Sequence, residues 1–194
     1  KASAEIITNA YYESYFMKEG KISVSTVRAG NVIGGGDYSE DRLIPDIYRF
    51  SKKKRKQILL RNPRAVRPWQ HVLEPLGGYL LLTQQLHEKK VKKEIQNWNF
   101  GPNISSCKSV QYVANYFAKA LNLKVNFKNL EKNNFKPETS ILRLSNFKSR
   151  KIIDWHPKWS LDKSLNKIIE WNKQIKFEKV VDVCKRQIKD FLNS

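Results

Sequence analysis

The stretch Arg28-Ala29-Gly30-Asn31-Val32-Ile33-Gly34-Gly35-Gly36-Asp37 decides how this chain is read. Just upstream, Ile22, Val24 and Thr26 alternate with Ser23, Ser25 and Val27, so a short strand is predicted to end at Arg28 and run straight into a glycine turn. In open α/β sheets ligands collect beyond the carboxyl ends of strands, which puts residues 31–37 where a ligand would sit. Three consecutive glycines let backbone N–H groups approach such a ligand with no Cβ in the way. Arg28 adds a charge and Asn31 an orientable amide. A glycine-rich turn is also an ordinary bend, and the motif alone does not choose between the two.

Elements on either side extend the α/β pattern. Ile6, Ile7, Ala10, Tyr11 and Tyr15 recur at helical spacing over Ala2–Met17, and Gly20 stops that helix. After the turn, a helix is predicted over Asp46–Lys56, with Ile47 and Phe50 inward and the lysines in water. Gln57–Leu60 reads as a strand and Arg61–Trp69 as an irregular segment. Val72–Leu86 forms an amphipathic helix whose Glu74 suits the positive helix N-terminus. Trp98–Gly101 and Lys124–Phe127 read as strands, and Ser109 caps a helix carrying Val110, Val113, Phe117 and Leu121. Lys132–Glu138 is a polar loop. Ser145 and Ser160 are expected to cap two further helices, and a last helix carries Val181, Cys184, Ile188 and Phe191.

With 194 residues, 40% of them hydrophobic, the chain can bury a real core. It holds no run of about 18 apolar residues, so no membrane-spanning helix is expected. No signal peptide is recognisable, and Cys107 and Cys184 are far apart without a C-x-x-C partner, which fits a reducing, cytoplasmic setting. The chain starts inside a predicted helix and reads as a piece of something longer.

Thirty-seven basic residues against eighteen acidic ones give a net charge of +19, a balance that raises nucleic acid as a partner. Its distribution argues against one: only Lys52-Lys53-Lys54-Arg55-Lys56 forms a dense run, lysine dominates, and no nucleic-acid-binding signature accompanies it. A basic nucleic-acid-binding module remains the reading of a different class. His87 and His156 lack ligand-spaced partners, so no metal is expected. His71 precedes a helix and is a candidate base, or a hydrogen-bonded structural residue. Arg61, Arg64 and Arg67 lie three apart beside Pro68-Trp69, so their guanidinium forks could grip a diphosphate over a packed tryptophan, or stand as ordinary surface arginines. No nucleophile elbow or paired catalytic carboxylates are present.

The run Val27–Asp37, followed by Asp41-Arg42-Leu43-Ile44-Pro45-Asp46, Arg61-Asn62-Pro63 and Arg67–Leu81, resembles the CDP-glucose 4,6-dehydratases, a branch of the extended short-chain dehydrogenase/reductases. The similarity continues through Trp98–Asn103, Trp155–Leu161 and the last helix, covering nearly the whole chain. Arg67-Pro68-Trp69 and the triple glycine are more specific than a generic dehydrogenase signature, since related sugar-nucleotide dehydratases usually carry aspartate between that arginine and tryptophan. The resemblance implies an α/β fold: part of a Rossmann-like enzyme with a smaller mixed α/β substrate lobe. Residues 1–29 and 72–101 would be a remnant of the NAD-binding domain, and 30–71 and 102–194 the lobe for the nucleotide sugar.

It further implies that Lys1 is the lysine of the family's Tyr-x-x-x-Lys motif, with the tyrosine four residues upstream of this chain and the glycine fingerprint for NAD also upstream. In the family, NAD takes hydride from sugar C4 while the tyrosinate takes the hydroxyl proton. Water then leaves across C5 and C6, and hydride returns to C6. Lys1 would hold the nicotinamide ribose and, by its charge, depress the tyrosine pKa. Asn31 would contact the substrate near its diphosphate and Arg67 would clamp that diphosphate, with Arg42 and Arg61 lining the same side. By the same resemblance the intact enzyme is a homo-oligomer, dimer or tetramer, converting CDP-glucose to its 4-keto-6-deoxy product for bacterial surface polysaccharide, and residues 1–194 alone are expected to be inactive. An epimerase, or a dehydratase for another nucleotide, is the nearest alternative.

Overall fold

The strand predicted before the glycine turn forms, and Gly30 breaks it in two. In the computed structural model, which describes residues 2–18, 22–52, 57–60, 62–91, 96–127 and 139–194, β1 covers Ser25–Ala29 and β2 covers Asn31–Ile33. β1 pairs in parallel with β5 (Gln96–Phe100), whereas β2 pairs in parallel with β4 (Val66–His71). A Cβ on residue 30 would lie 2.5 Å from the Pro68 carbonyl oxygen, so glycine alone lets the chain change sheets at this point.

The first helix, α1 (Ala2–Tyr11), continues through a π-helical turn at Tyr12–Phe16. The Glu5 carboxylate of α1 pairs with Arg28 of β1 and accepts from Asn97 Nδ2 of β5 at 3.3 Å. Ile6, Ile7 and Tyr11 on α1, and Tyr15 in the π-helical turn, are exposed.

Helix α2 (Leu43–Ser51) begins three residues earlier than the periodicity predicts, with Pro45 in its first turn. Proline is tolerated there because first-turn N–H groups have no intrahelical acceptor. Strand β3 (Gln57–Leu60) pairs in parallel with β7 (Lys124–Phe127), as the pattern implied for both. The last four residues of the segment read as irregular, Val66–Trp69, instead belong to strand β4. Pro68 hid it, and it escapes the usual penalty because it ends the antiparallel ladder with β6 (Cys107–Ser109), just before the parallel pairing with β2 starts at Trp69.

Helix α4 (Val110–Leu121) starts as predicted, with Ser109 Oγ accepting from Tyr112 N at 3.1 Å. Ser160 likewise caps α6 (Leu161–Gln174) by accepting from Lys163 N. The shorter α5 (Phe147–Ile153) has Asn146 at its N-cap position, one residue past the expected Ser145. The final helix is α7 (Val180–Leu192). The polar loop Lys132–Glu138 lies outside the described residues.

Two apolar clusters form around this frame. One packs α2, α4 and α6 over β2 and β4, through Ile33, Ile47, Trp69, Phe117, Leu165 and Ile168. The other gathers α3 (Leu73–His87), β5 and α5 around Leu82, Trp98, Phe100 and Trp155, with the Phe100 and Trp155 rings edge-to-face at 5.1 Å.

Glu74 sits in the first turn of α3 as expected, but its role reaches beyond its own helix. It is 1% exposed and accepts from Lys158 N and from Trp159 N at 2.7 Å, fastening the segment before α6 to α3. Burial pushes its carboxyl above the ordinary range, although the two backbone N–H groups and the charges of Lys158 and Lys163 pull the other way.

The glycine turn is packed, not open. A Cβ on Gly35 would lie 2.3 Å from the indole of Trp171 on α6, itself 4% exposed, and Gly36 adopts φ +78° beneath the same ring. Gly35→Ala is expected to cost about 1–3 kcal/mol by overpacking. Gly77→Ala in α3, where a Cβ meets only ordinary contacts with Phe191, should be neutral or stabilising by up to about 1 kcal/mol. Calorimetric unfolding of both variants checks the pair, and equal melting temperatures would contradict the close packing.

Candidate functional site

Three pieces of chain converge on one cleft of about 690 Å³: the β1–β2 crossing, the loop into the first turn of α2, and β4. Asn31 enters from β2, where it stands in register with Trp69. Arg67 and Trp69 are two apart on β4 and therefore share a face of the strand. All three line the cleft, together with Arg42 at the head of α2.

The two arginines are held differently. Arg67 is 7% exposed, and its Nη1 donates to the Val66 carbonyl at 2.8 Å and the Thr139 carbonyl at 2.9 Å, so its guanidinium is a fixed part of the wall. Arg42 is exposed, with its Nη1 3.8 Å from the Asp37 carboxylate. Burial tends to raise the Asp37 pKa, but bonds from Ser39 and the charges of Arg42 and Arg49 outweigh it and hold the carboxyl below the ordinary range. Arg42 is also the N-cap residue of α2 and makes no side-chain capping bond. The first turn of α2, with its positive dipole end, thus faces the cleft beside two arginines, an arrangement suited to an anion.

Of the five residues expected at the site, the structure brings Asn31, Arg42 and Arg67 together, while Lys1 and Arg61 lie outside the described residues. Arg28 is not part of the cleft; Glu5 and Asn99 engage it instead. Arg64 is exposed and does not line the cleft, so of the two readings of that arginine run it follows the ordinary surface one, while Arg67 enters the wall. Of the glycines, Gly30 and Gly34 line the cleft, whereas Gly35 and Gly36 face Trp171. The indole N–H of Trp69 is committed to the Lys108 carbonyl at 2.9 Å.

His71 is buried and does not line the cleft. It is 1% exposed, its Nδ1 accepts from Leu73 N at 3.3 Å, and its ring packs 5.0 Å from that of Trp159. Burial, aided by the charge of Lys167, lowers its pKa to about 4, so it is neutral near pH 7. The basic run lies largely outside the described residues; Lys52 is the exposed C-cap of α2. No cluster of three metal-ligating side chains occurs among the described residues, and no helix there is long and apolar enough to cross a membrane. The sequence reading missed the α2 N-terminus as part of the site. Its signal was Pro45, a proline two residues into a helix that opens directly after Asp41-Arg42.

The chain is 37% identical over its whole length to the CDP-glucose 4,6-dehydratase of Salmonella typhimurium strain LT2, and spans 55% of that relative's length. No protein-family profile matches it. Among solved structures, the dTDP-glucose 4,6-dehydratase of Bacillus anthracis in complex with NAD superposes with a TM-score of 0.68 at 22% identity, over 90% of this chain and 50% of that one. The UDP-glucose 4-epimerase of Thermotoga maritima with UDP-glucose gives 0.67 at 19%, over 90% and 52%. The α/β fold is shared with these solved structures, and the chain matches about half of each.

The neutral buried histidine carries a pH signature. The unfolded chain binds a proton near the ordinary value of 6.5 and the folded chain only near 4, so stability is complete above about 6.5 and is lost as pH falls toward 4. The loss approaches about 3 kcal/mol at most. Urea unfolding between pH 7.5 and 4.5 should show this decline in the wild type. It should be flatter in His71→Asn, which keeps an acceptor for Leu73 N; parallel curves would contradict the assignment.

Proposed function

We propose that this chain forms the nucleotide-sugar-binding part of an NAD-dependent nucleotide-sugar 4,6-dehydratase, with CDP-glucose as its substrate. The observation that carries the reading is the convergence of Asn31, Arg42, Arg67 and the first turn of α2 on one cleft, joined to the whole-length similarity to a CDP-glucose 4,6-dehydratase. A nucleoside diphosphate presents two linked anions. The fixed Arg67 supplies charge-assisted hydrogen bonds to one, while Arg42 and the α2 N–H groups supply them to the other. Asn31, beside the strand crossing, orients the group next to the diphosphate.

The described residues supply the substrate side of the reaction. A dinucleotide pyrophosphate needs a glycine turn opening a helix, and Gly34–Gly36 does not serve, because Gly35 is packed against Trp171. NAD would therefore be held by other residues of the intact protein, with Lys1 at the nicotinamide ribose. When bound, it would supply a reversible hydride acceptor. No described residue is proposed as acid or base; the chain's own contribution is to bind the diphosphate and fix the sugar's position. The reading carries with it a cytoplasmic, homo-oligomeric enzyme supplying 6-deoxy or 3,6-dideoxy sugars for bacterial surface polysaccharide.

In the intact protein, Arg67→Ala is expected to weaken CDP-glucose binding by about 1.5–3 kcal/mol, the loss for a charge-assisted pair, read by titration calorimetry. Unchanged affinity would overturn the assignment. Turnover of CDP-, dTDP-, GDP- and UDP-sugars compared side by side decides the nucleotide. Preference for UDP-sugars with inversion at C4 and no loss of water would favour an epimerase.

A further inference from the structure

Loop 37–42 forms one edge of the cleft and brings Arg42 to it, yet little apolar burial holds the loop in place. Tyr38 at its centre is 72% exposed, and Asp41, directly before Arg42, turns the chain through the left-handed region at φ +57°, an uncommon conformation for a residue with a side chain. A residue outside the cleft fastens the loop to α2. Arg49 lies two helical turns along α2 from Arg42, on the same face. Its Nη1 donates to the Tyr38 carbonyl at 3.0 Å, its Nη2 donates to the Ser39 carbonyl at 2.9 Å, and the same Nη2 pairs with the Asp46 carboxylate. Within the loop, Ser39 N donates to Asp37 Oδ1 at 3.0 Å, and Asp37 in turn faces Arg42.

Resting on the nucleotide-sugar reading above, we propose that Arg49 is a positioning residue: its guanidinium holds loop 37–42 on α2 and so sets the place of Arg42 in the cleft. A planar fork reaching two successive carbonyls and a carboxylate does what a lysine ammonium, a single point charge, cannot reproduce. Arg49 does not itself line the cleft, so its effect on the ligand passes through the loop.

The test is a double-mutant cycle in the intact protein with CDP-glucose as the probe, read by titration calorimetry, by KM and kcat, and by thermal unfolding. Arg49→Ala and Arg42→Ala should each weaken binding about tenfold, near 1.4 kcal/mol, with kcat within about twofold and melting temperatures close to wild type. The double variant should bind no worse than either single one, because both remove the same contact. Arg49→Lys should recover little affinity. Unchanged binding in Arg49→Ala overturns the proposal, as do losses that multiply to about a hundredfold in the double variant, or an affinity loss that tracks a fall in melting temperature. Weakened binding in Arg42→Ala beside normal binding in Arg49→Ala removes the role of Arg49 alone. A wild-type protein that binds no nucleotide sugar removes the functional reading and this role together.

Discussion

The structure depends on the close approach of residue 30 to the Pro68 carbonyl. With Cβ excluded at 2.5 Å, a single glycine lets one extended segment serve two sheets, pairing with β5 on one side of the break and β4 on the other. That crossing sets Asn31 beside Trp69, and because side chains alternate along a strand, it also sets Asn31 near Arg67. Any larger residue at position 30 would have to push β4 away, and the wall holding Arg67 would go with it.

The two apolar clusters meet along β4 and α3, and polar groups do much of the joining. Gln70 Nε2 donates to the Phe100 carbonyl at 2.7 Å, linking β4 to the strand that carries the second cluster. Glu74 accepts backbone N–H groups from the Trp159 segment, which leads into α6 and the first cluster. A buried carboxylate is costly unless its oxygens are satisfied. Here the acceptors lie where no helix or strand ladder would otherwise bond the N–H groups of residues 158 and 159. The geometry of the cleft is thus backed by directional bonds one layer behind it, and Trp159, fixed by one of them, closes over the neutral His71.

Much of this frame was legible in the residues. Alternation found β1, Gln57–Leu60 found β3, and Ser109 and Ser160 marked two helix starts, because local patterns of this kind are set by local physics. Where the reading failed, the deciding contact was distant in sequence. Pro68 argues against a strand until β6 is seen to end its ladder there. Arg28 looks like a ligand charge until Glu5 engages it from α1. The three glycines look like open space until α6, more than 130 residues later, places Trp171 on Gly35. At the site, Asn31, Arg42 and Arg67 were nameable through resemblance, while the α2 N-terminus was obscured by a helix start placed three residues late.

The same distinction bears on the charge of the chain. A net charge of +19 describes the whole surface and carries no position. The cleft is not a basic patch: Asp37, Asp41 and Asp46 line it alongside Arg42 and Arg67. Asp46 is paired with Arg49, and Asp37 faces Arg42, so the carboxylates act to place guanidinium groups. A polyanion such as nucleic acid is best met by an extended positive face, with affinity growing with each phosphate neutralised. A small diphosphate is best met by a few donors held at fixed points, each backed by an acceptor that sets its direction. The cleft has donors of the second kind, Arg67 held by two backbone carbonyls and Arg42 facing Asp37, which supports the diphosphate proposed for it.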